Sequence, residues 1–218
     1  MQNNKNQVMR TVAILLAIIG LMLGLVVSHY MHRTSKMDST RFHGTWLDEP
    51  REVAAFDLIG TEGPFNHANL QHRWTMMFFG FTTCQSICPT TMVELAKMTQ
   101  LLEKQGVTPL PQVVLVSLDP ERDTGKKLHQ YVTAFHPQFL GARGENLEAV
   151  KAMANEMGVA YTKVALPGDK DKQHYNIEHT GTLMLFNPEG KLCAFFTMPH
   201  HAKLLAKDYL LAISSDRS

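Results

Sequence analysis

The 218-residue chain has only three cysteines, almost no net charge and no internal repeat. Three cysteines exclude a small disulfide-built scaffold, although they allow one working pair and one residue left over. The formal net charge of +1, from 21 basic and 20 acidic residues, argues against a nucleic-acid-binding protein, which normally carries a basic excess. The hydrophobic share of 44% is sufficient for a domain with a sizeable core.

The N-terminal region contains an uncharged apolar run at residues 11–28, TVAILLAIIGLMLGLVVS. This length is just enough to cross a hydrocarbon core about 30 Å thick, and it exceeds the apolar region of a cleavable signal peptide. No small-residue cleavage site follows the run. We therefore predict an uncleaved transmembrane signal-anchor at 11–28, in preference to a cleaved signal peptide or a buried helix.

The anchor divides the chain into four predicted regions: a cytoplasmic tail (1–10), the transmembrane helix (11–28), a tether (29–49) and a soluble domain (50–215). Basic residues flank the apolar run on both sides, so their count does not fix the orientation. A short tail ahead of a first apolar segment usually stays inside, which places the domain outside the cytoplasm. Residues 1–40 carry four basic residues and one acidic residue, which leaves a net charge of −2 for residues 41–218.

The soluble domain alternates short apolar runs with amphipathic segments. Continuous apolar runs such as 74–81 and 112–118 are typical of strands covered on both faces. Strands that alternate with helices indicate a sheet with parallel pairs, and a closing hairpin makes this sheet mixed. We therefore predict an α/β, thioredoxin-like fold: a mixed sheet flanked by helices. The predicted strands lie at 57–65 (two strands around a turn), 74–81, 112–118, 181–186 and 191–196, and the predicted helices at 89–105, 125–135, 145–157 and 202–213.

Cys84 and Cys88 lie where the predicted buried strand 74–81 ends and a helix begins. Positions i and i+4 of a helical turn share a face, so the two sulfurs can converge on one small object. A helix N-terminus favours thiolate over thiol, and the thiolate is the reactive and metal-binding form. The pair is compatible with a structural disulfide, a redox dithiol or two soft metal ligands. A disulfide across so few residues adds little stability, because the loop it closes is very short.

A metal site needs more ligands than two cysteines, and copper(I) and zinc both accept imidazole beside thiolate. Among the 11 histidines, His179 is the candidate because it directly precedes the predicted buried strand 181–186. In a thioredoxin-like sheet, this loop faces the loop that carries the cysteines. The sequence therefore predicts that Cys84, Cys88 and His179 meet.

Three motifs, in order along the chain, carry a family resemblance. They are Gly-Phe-Thr-x-Cys-x-x-x-Cys-Pro at 80–89, Asp-Pro-Glu-Arg-Asp-Thr at 119–124, and His-Thr at 179–180 before the strand that leads to Asn-Pro-Glu-Gly at 187–190. Over roughly residues 50–215, the chain resembles the Sco/SenC family. Members of that family are membrane-anchored, thioredoxin-like copper proteins of bacterial and mitochondrial inner membranes.

The resemblance implies a copper metallochaperone rather than an enzyme. Carried over position by position, Cys84, Cys88 and His179 would bind one copper ion per chain, as Cu(I) or Cu(II). The implied role is to deliver copper to, or to prepare, the binuclear copper site of cytochrome c oxidase subunit II or a similar client. A thiol reductant of thioredoxin type is a further implied partner. The implied location is a bacterial inner membrane, crossed once, with the soluble domain in the periplasm.

Two other functions stay open from the sequence. A thiol:disulfide oxidoreductase that reduces the cysteines of a client cuproprotein needs Cys84 and Cys88 but not His179. A peroxiredoxin-like peroxidase or a copper or redox sensor is a third interpretation. The insert 85–87 (Gln-Ser-Ile) departs from the proline and acidic residue more usual in the family, which leaves the division between carrier and reductant open. The C-x-x-x-C spacing and Thr180 in place of a proline argue against an ordinary thioredoxin-type reductant.

Four charged residues near the motifs receive secondary predictions. Asp119 or Glu178 is a candidate to hold the second imidazole nitrogen of His179, because metal-bound histidines usually donate that N–H to a carboxylate or carbonyl. Asp119 is equally well explained as a turn former. Arg122 and Asp123 are predicted to form a local ion pair with each other rather than to take part in chemistry.

Other cysteine, methionine and histidine side chains are predicted to have no metal role. Cys193 lies in a predicted strand of the closing hairpin, and we expect a buried thiol that acts as a small apolar group. Met198, His200 and His201 bring metal-binding side chains into one loop. We expect them to form the connection to the last helix.

Overall fold

The computed structural model describes residues 2–32, 41–165 and 175–215. The chain divides into two compact units, Met1–Met37 with Ala212–Ser218 and Asp38–Leu211. The first unit contains helix α1 (Gln2–His32). Among the residues whose placement is described, no helix is both long and apolar enough to cross a membrane. Residues 11–28 are helical throughout, but the structure does not support their prediction as a transmembrane helix.

The chain from residue 41 onwards alternates strands and helices. Its described strands are β1 (Thr45–Arg51), β2 (Asp57–Gly60), β3 (Gly63–Asn66), β4 (Thr75–Gly80), β5 (Gln112–Ser117), β6 (Leu140–Arg143), β7 (Tyr161–Ala165), β8 (Tyr175–His179), β9 (Leu183–Phe186) and β10 (Leu192–Phe196). Its described α-helices are α2 (Ile87–Lys104), α3 (Gly125–Thr133), α4 (Leu147–Glu156) and α5 (Ala202–Ser215), and a short 3-10 helix follows β3 at His67–Leu70.

Eight strands form one mixed sheet in the order β1-β10-β9-β4-β5-β6-β2-β3, and β7 and β8 form a separate two-stranded sheet. The pairs β4–β5 and β5–β6 are parallel, whereas β9 and β10 pair antiparallel next to β4. Parallel neighbours need long crossover connections, and α2 and α3 supply them. The predicted thioredoxin-like α/β fold with a mixed sheet is confirmed.

The central strand β4 connects the hydrophobic core to the cysteine motif. All six residues of β4 are buried, because it lies between β5 and β9 and is covered on both faces. The strand ends at Gly80, and the chain then turns directly into α2. The buried strand that the apolar run predicted therefore also determines the position of the two cysteines, which follow its end.

The structure differs from the sequence prediction in three strand regions. Residues 45–51, most of which were assigned to the tether, form β1 and pair with β10; residues 33–40 of that tether lie outside the described residues. Strand β6 was not predicted, because its sequence Leu-Gly-Ala-Arg contains a glycine and a charged residue rather than an apolar run. The hairpin β7–β8 is mostly solvent-exposed, so it lacks the apolar run by which the other strands were recognised.

Candidate metal centre

The cysteine motif begins where β4 stops and ends in the first turn of α2. Cys84 lies in the connecting turn, where its N–H donates to the carbonyl of Phe81 (3.3 Å). Cys88 is the second residue of α2, and its N–H donates to the Cys84 sulfur at 3.5 Å. The sulfur of Cys84 therefore accepts one of the N–H groups that a helix N-terminus leaves without an intrahelical partner. This confirms the prediction that the two sulfurs converge at a helix start.

The absence of a side chain at Gly80 makes room for the Cys88 thiol. A Cβ atom at Gly80 would lie 2.9 Å from the Cys88 sulfur and 3.0–3.1 Å from side-chain atoms of Phe78 and Leu115. Carbon–sulfur contacts this short do not occur without displacement. The sulfur of Cys88 is fully buried against the end of β4, so its position depends directly on this glycine.

His179 brings the third donor atom to the two sulfurs. It is the last residue of β8, and its Nε2 lies 3.4 Å from the Cys88 sulfur. The ring packs against Phe78 and Phe81, with centroid distances of 6.0 and 5.9 Å. The ligand atoms of Cys84, Cys88 and His179 all lie within 4.8 Å of one another. The three residues that the sequence predicted to meet do so, although His179 ends a strand rather than lying in a loop.

The second imidazole nitrogen of His179 is held by the backbone. Its Nδ1 lies 3.0 Å from the carbonyl oxygen of Thr180, so Nδ1–H donates to this oxygen and Nε2 is the ring nitrogen that faces the sulfurs. Asp119 contacts other groups and Glu178 is exposed. The prediction that Asp119 or Glu178 holds this nitrogen is therefore wrong, because the adjacent carbonyl takes that place.

Asp119 instead helps to hold the hairpin that carries His179. Its carboxylate is fully buried, accepts from Nε of Arg122 and accepts from the Tyr175 hydroxyl at 2.7 Å. The Arg122 guanidinium stacks 3.8 Å above the Tyr175 ring, and its Nη1 donates to the Tyr175 carbonyl at 2.9 Å. Tyr175 begins β8, so this cluster fixes the end of the strand opposite to His179.

Asp123 anchors the turn ahead of Cys84 from inside the protein. Its buried carboxylate accepts from the Thr82 N–H (3.0 Å) and the Thr82 hydroxyl, and from the Ser117 hydroxyl at 2.7 Å. The predicted Arg122–Asp123 ion pair is therefore wrong: Arg122 pairs with Asp119, and Asp123 ties β5 to the cysteine turn. Asp119 and Asp123 lie two and six residues after the end of the buried strand β5, a position that indicates a place near the cysteine motif but does not identify their partners.

The environment shifts the two thiol pKa values in opposite directions. The pKa of Cys84 falls to about 3, mainly because the Cys88 thiol donates a hydrogen bond to its thiolate. Partial burial opposes this shift, whereas His179 and the N–H groups of Ser86 and Cys88 add to it. The pKa of Cys88 rises well above its ordinary range, because the hydrogen bond to Cys84 and burial both favour its thiol. Cys84 is therefore the thiolate of the pair at neutral pH.

An open cleft of about 630 Å³ gives access to the site. It is lined by residues 83–87 of the cysteine turn, by all of β8 and by Arg122. Cys84 and His179 line this cleft and are partly exposed, while Cys88 lies behind them. A ligand that enters the cleft therefore meets Cys84 and His179 first.

The spacing of the three donor atoms suits one soft metal ion. With bond lengths of about 2.3 Å to sulfur and 2.0 Å to nitrogen, three ligands in a plane around one ion lie roughly 3.5–4 Å apart. The observed separations, 3.4 Å for one pair and at most 4.8 Å for the others, need adjustments of an ångström or less. Two thiolates and an imidazole favour copper(I) or zinc over calcium or magnesium, and the cleft leaves a position open for exchange.

The other predicted thiol, thioether and imidazole groups lie outside the three-residue cluster. Cys193 is buried in β10, and its thiol donates to the Leu185 carbonyl at 3.2 Å, as expected for a core residue. Met198, His200 and His201 form the connection between β10 and α5, as predicted. His200 is buried, and its Nε2 lies 2.7 Å from the Gly181 carbonyl, which ties this connection to the segment that follows His179.

Comparison with known proteins gives concordant similarities. The SCO1/SenC family model matches residues 45–213. The mitochondrial SCO1 homolog 1 of Arabidopsis thaliana is 35% identical over 66% of the chain, and the match spans 42% of that protein, less than half its length. An SCO2-like protein of Rickettsia felis is 29% identical over 93% of the chain and 95% of its own length. The crystal structure of Arabidopsis thaliana ScoI with copper bound has a TM-score of 0.65 and 32% identity, covering 76% of this chain and 98% of that one.

Proposed function

Because the chain belongs to the SCO1/SenC family, we propose that it binds one copper ion per chain through the sulfurs of Cys84 and Cys88 and Nε2 of His179. The observation that carries the proposal is the convergence of these three donor atoms within 4.8 Å at the base of an open cleft. Copper bound to a relative of the same fold supports the choice of metal.

The arrangement suits a carrier better than a permanent metal site. A structural zinc site is closed by four protein ligands, whereas this cluster offers three donors and an open cleft. Two of the donors, Cys84 and His179, line that cleft, so a ligand from a partner protein can approach the ion from the same side. Copper(I) tolerates low coordination and prefers soft ligands. Two thiolates leave the copper(I) site with a net charge of −1.

The biological role we propose is copper delivery to, or preparation of, the binuclear copper site of cytochrome c oxidase subunit II. Membership of the family supports this role. We further propose that residues 11–28 anchor the chain in a bacterial inner membrane, with the copper domain in the periplasm. The support for the anchor is the sequence, an 18-residue run without charge, together with the 48–68% exposure of the large apolar side chains from Val12 to Val27 in α1.

The test is copper stoichiometry of the full chain after equilibration with a competing copper(I) chelator. We expect one copper per chain for the wild type, and none for Cys84→Ala, Cys88→Ala or His179→Ala. Cys193→Ala and His129→Ala are matched controls, one cysteine and one histidine outside the cluster, and both should retain the metal. Retention of copper by His179→Ala, or its loss from the wild type, would contradict the proposed ligand set.

A thiol:disulfide reductant is the second candidate function, favoured by the lowered pKa of Cys84 and its partial exposure. The Cys84 thiolate would attack a client disulfide and release one client thiolate. Cys88, after losing its proton to solvent, would then attack the Cys84 sulfur of the mixed disulfide, break the Cys84–client S–S bond, release the second client thiolate and form a Cys84–Cys88 disulfide. The client gains two electrons and the chain loses two, so a thioredoxin-type reductant must restore the pair. His179→Ala separates the functions, because it should abolish copper binding and leave disulfide reduction in place.

A further inference from the structure

Helices α2 and α5 border an apolar groove with cations along both of its walls. Two clefts, of about 660 and 440 Å³, share Leu101 and Lys203 in their linings. We call the combined surface the α2–α5 groove. It is lined along α2 by Lys97, Leu101 and Lys104 and along α5 by Lys203, Leu204 and Lys207.

The floor of the α2–α5 groove is apolar and open to solvent. Leu204 is 38% exposed, and Leu101, Leu210 and Leu211 are partly exposed. These four leucines lie on two neighbouring helices rather than scattered over the surface. Clustered apolar side chains in a depression with a polar rim are typical of a protein interaction site.

Four of the five lysine and arginine side chains that line the two clefts, Arg41 in the smaller cleft among them, lack acidic partners within the described part of the chain. Arg41, Lys104, Lys203 and Lys207 are exposed, and none lies within 4.0 Å of a described carboxylate. Glu94 is the acidic residue of the groove lining, and its carboxylate already has partners within the chain. It pairs with Lys97 at 2.7 Å and accepts from the Ala202 N–H at the start of α5. The groove is therefore cationic, although residues 41–218 carry a net charge of −2.

We infer that the α2–α5 groove docks an amphipathic helix of a partner protein whose apolar stripe is flanked by aspartate or glutamate on both sides. The apolar floor requires an apolar ridge, as in other helix-in-groove complexes. Cations on both walls require acidic groups on both flanks of that ridge. Lys203 and Lys207 are one turn apart on α5, which matches a helical repeat, and Lys104 supplies an unpaired cation on the α2 wall, where Lys97 is already paired with Glu94.

A flat anionic lipid surface fits these observations less well than an acidic helix. Phosphate headgroups satisfy cations, but a plane of headgroups leaves the floor formed by Leu101 and Leu204 unfilled. The groove also lies along the helix that begins at the cysteine motif. Glu94 lies at the end of the groove nearest to Cys88. These two residues are separated by about 9 Å along the α2 axis. A helix held in the groove would therefore keep its protein close to the copper cleft.

The test uses the full chain in phosphatidylcholine nanodiscs and a fluorescein-labelled, 21-residue helical probe. The probe carries leucine at every third and fourth position with glutamate on both flanks, and a paired probe has lysine in place of glutamate. We expect the acidic probe to bind and the basic one not to bind. Lys203→Glu with Lys207→Glu should weaken binding by about tenfold or more. Lys126→Glu with Lys151→Glu, the same charge change on exposed positions of α3 and α4, should leave it unchanged.

Lysine acetylation of the unmutated chain provides a second readout that does not depend on a variant's folding. The acidic probe should protect Lys104, Lys203 and Lys207 and leave Lys126 and Lys151 reactive. Equal loss of binding in both double variants, or protection without selectivity, would overturn the inference. So would protection of the groove lysines by phosphatidylglycerol nanodiscs without the probe, because the occupant would then be lipid. Copper stoichiometry, measured on the same samples, reports the proposed function independently.

Discussion

The two parts of the candidate metal site, the cysteine pair and His179, are held by different regions of the protein. Cys84 and Cys88 lie between β4, whose residues are all buried, and α2, and the turn before Cys84 is fixed from below by Asp123. His179 ends β8, which belongs to the two-stranded sheet outside the main one. The hydrophobic core therefore positions the sulfurs, whereas a mostly exposed hairpin positions the imidazole.

This difference predicts two classes of mutational effect. The side chains that hold the cysteine turn are buried in the core, so their removal should lower both the free energy of unfolding and the copper affinity. The cluster of Asp119, Arg122 and Tyr175 holds one end of the hairpin, and most of the hairpin is exposed, so changes there should lower copper affinity more than stability. An ion that bridges both regions would then add the stability that the hairpin lacks.

The largest effect is expected for Asp123→Ala. It removes acceptors for two groups of Thr82 and one of Ser117, and hydrogen bonds to a buried charged acceptor are among the strongest in proteins. We expect the free energy of unfolding to fall by about 3–5 kcal/mol, together with weaker copper binding. Chemical denaturation of the copper-free chain measures the first effect, and chelator competition measures the second.

Asp48→Ala is the matched control, because this aspartate in β1 is exposed. A surface change of this kind usually shifts stability by less than about 0.5 kcal/mol. If Asp123→Ala reduced copper affinity without reducing stability, the cysteine turn would be no more deeply anchored than the hairpin. The proposed difference in how firmly the core and the hairpin hold their residues would then be wrong.

The next largest effect is expected for Gly80→Ala. The added Cβ lies 2.9 Å from the Cys88 sulfur, so that the sulfur or the strand must move. Overpacking of a core typically costs about 1–3 kcal/mol, and a cost borne by the sulfur position corresponds to roughly tenfold or more in copper affinity. Gly125→Ala is the control, since a Cβ there meets nothing within 4 Å. Unchanged copper affinity in Gly80→Ala would show that Cys88 is not fixed by this contact.

Most of the main sheet was predictable because its strands are buried on both faces. β4, β5 and β9 appear in the sequence as continuous apolar runs, and α2 begins where the run 74–81 gives way to helical spacing. The hairpin β7–β8 was not predictable in this way, because its residues are largely exposed and carry no apolar run. The strand that bears His179 was consequently missed, although the residue itself was identified.

The convergence of the three candidate ligands was predictable from the sequence, but the hydrogen-bond network that orients them was not. Residue spacing placed Cys84 and Cys88 together, since one helical turn separates them. The partners of Asp119 and Asp123 come from residues 56 and 41 positions away in the chain, and local pattern carries no information on such pairings. The same reason explains the wrong pairing of Arg122 with its neighbour Asp123.

A smaller effect is expected for Tyr175→Phe, which tests the hairpin. The change removes the hydrogen bond to Asp119 (2.7 Å) but keeps the ring beneath the Arg122 guanidinium. The loss of one hydrogen bond costs about 1 kcal/mol, equivalent to about fivefold in copper affinity if it is borne by the His179 strand. Chelator competition measures it. Alkylation of Cys84 should be unaffected, and a changed alkylation rate would show that the two regions are not held separately.

The smallest change is expected in the alkylation rate of Cys84 as the pH is lowered, measured on the reduced, copper-free chain. The pKa of Cys84 is lowered to about 3, so the thiolate is stabilised relative to the thiol and is lost only as the pH falls towards 3. The rate with iodoacetamide should therefore change by less than about twofold between pH 8 and pH 5, whereas an ordinary thiol slows by nearly a thousandfold.

The cause of the lowered Cys84 pKa is tested by Cys88→Ala, since the Cys88 thiol donates the largest stabilising hydrogen bond. Removing that donor should raise the pKa of Cys84, so that alkylation slows between pH 8 and pH 5 by more than in the wild type. Tyr175→Phe should keep the flat profile, because it leaves the cysteine turn intact. A steep profile in the wild type would mean that the core places the two sulfurs without coupling them. The thiolate of Cys84 and the imidazole of His179 would then differ only in the region of the protein that holds them.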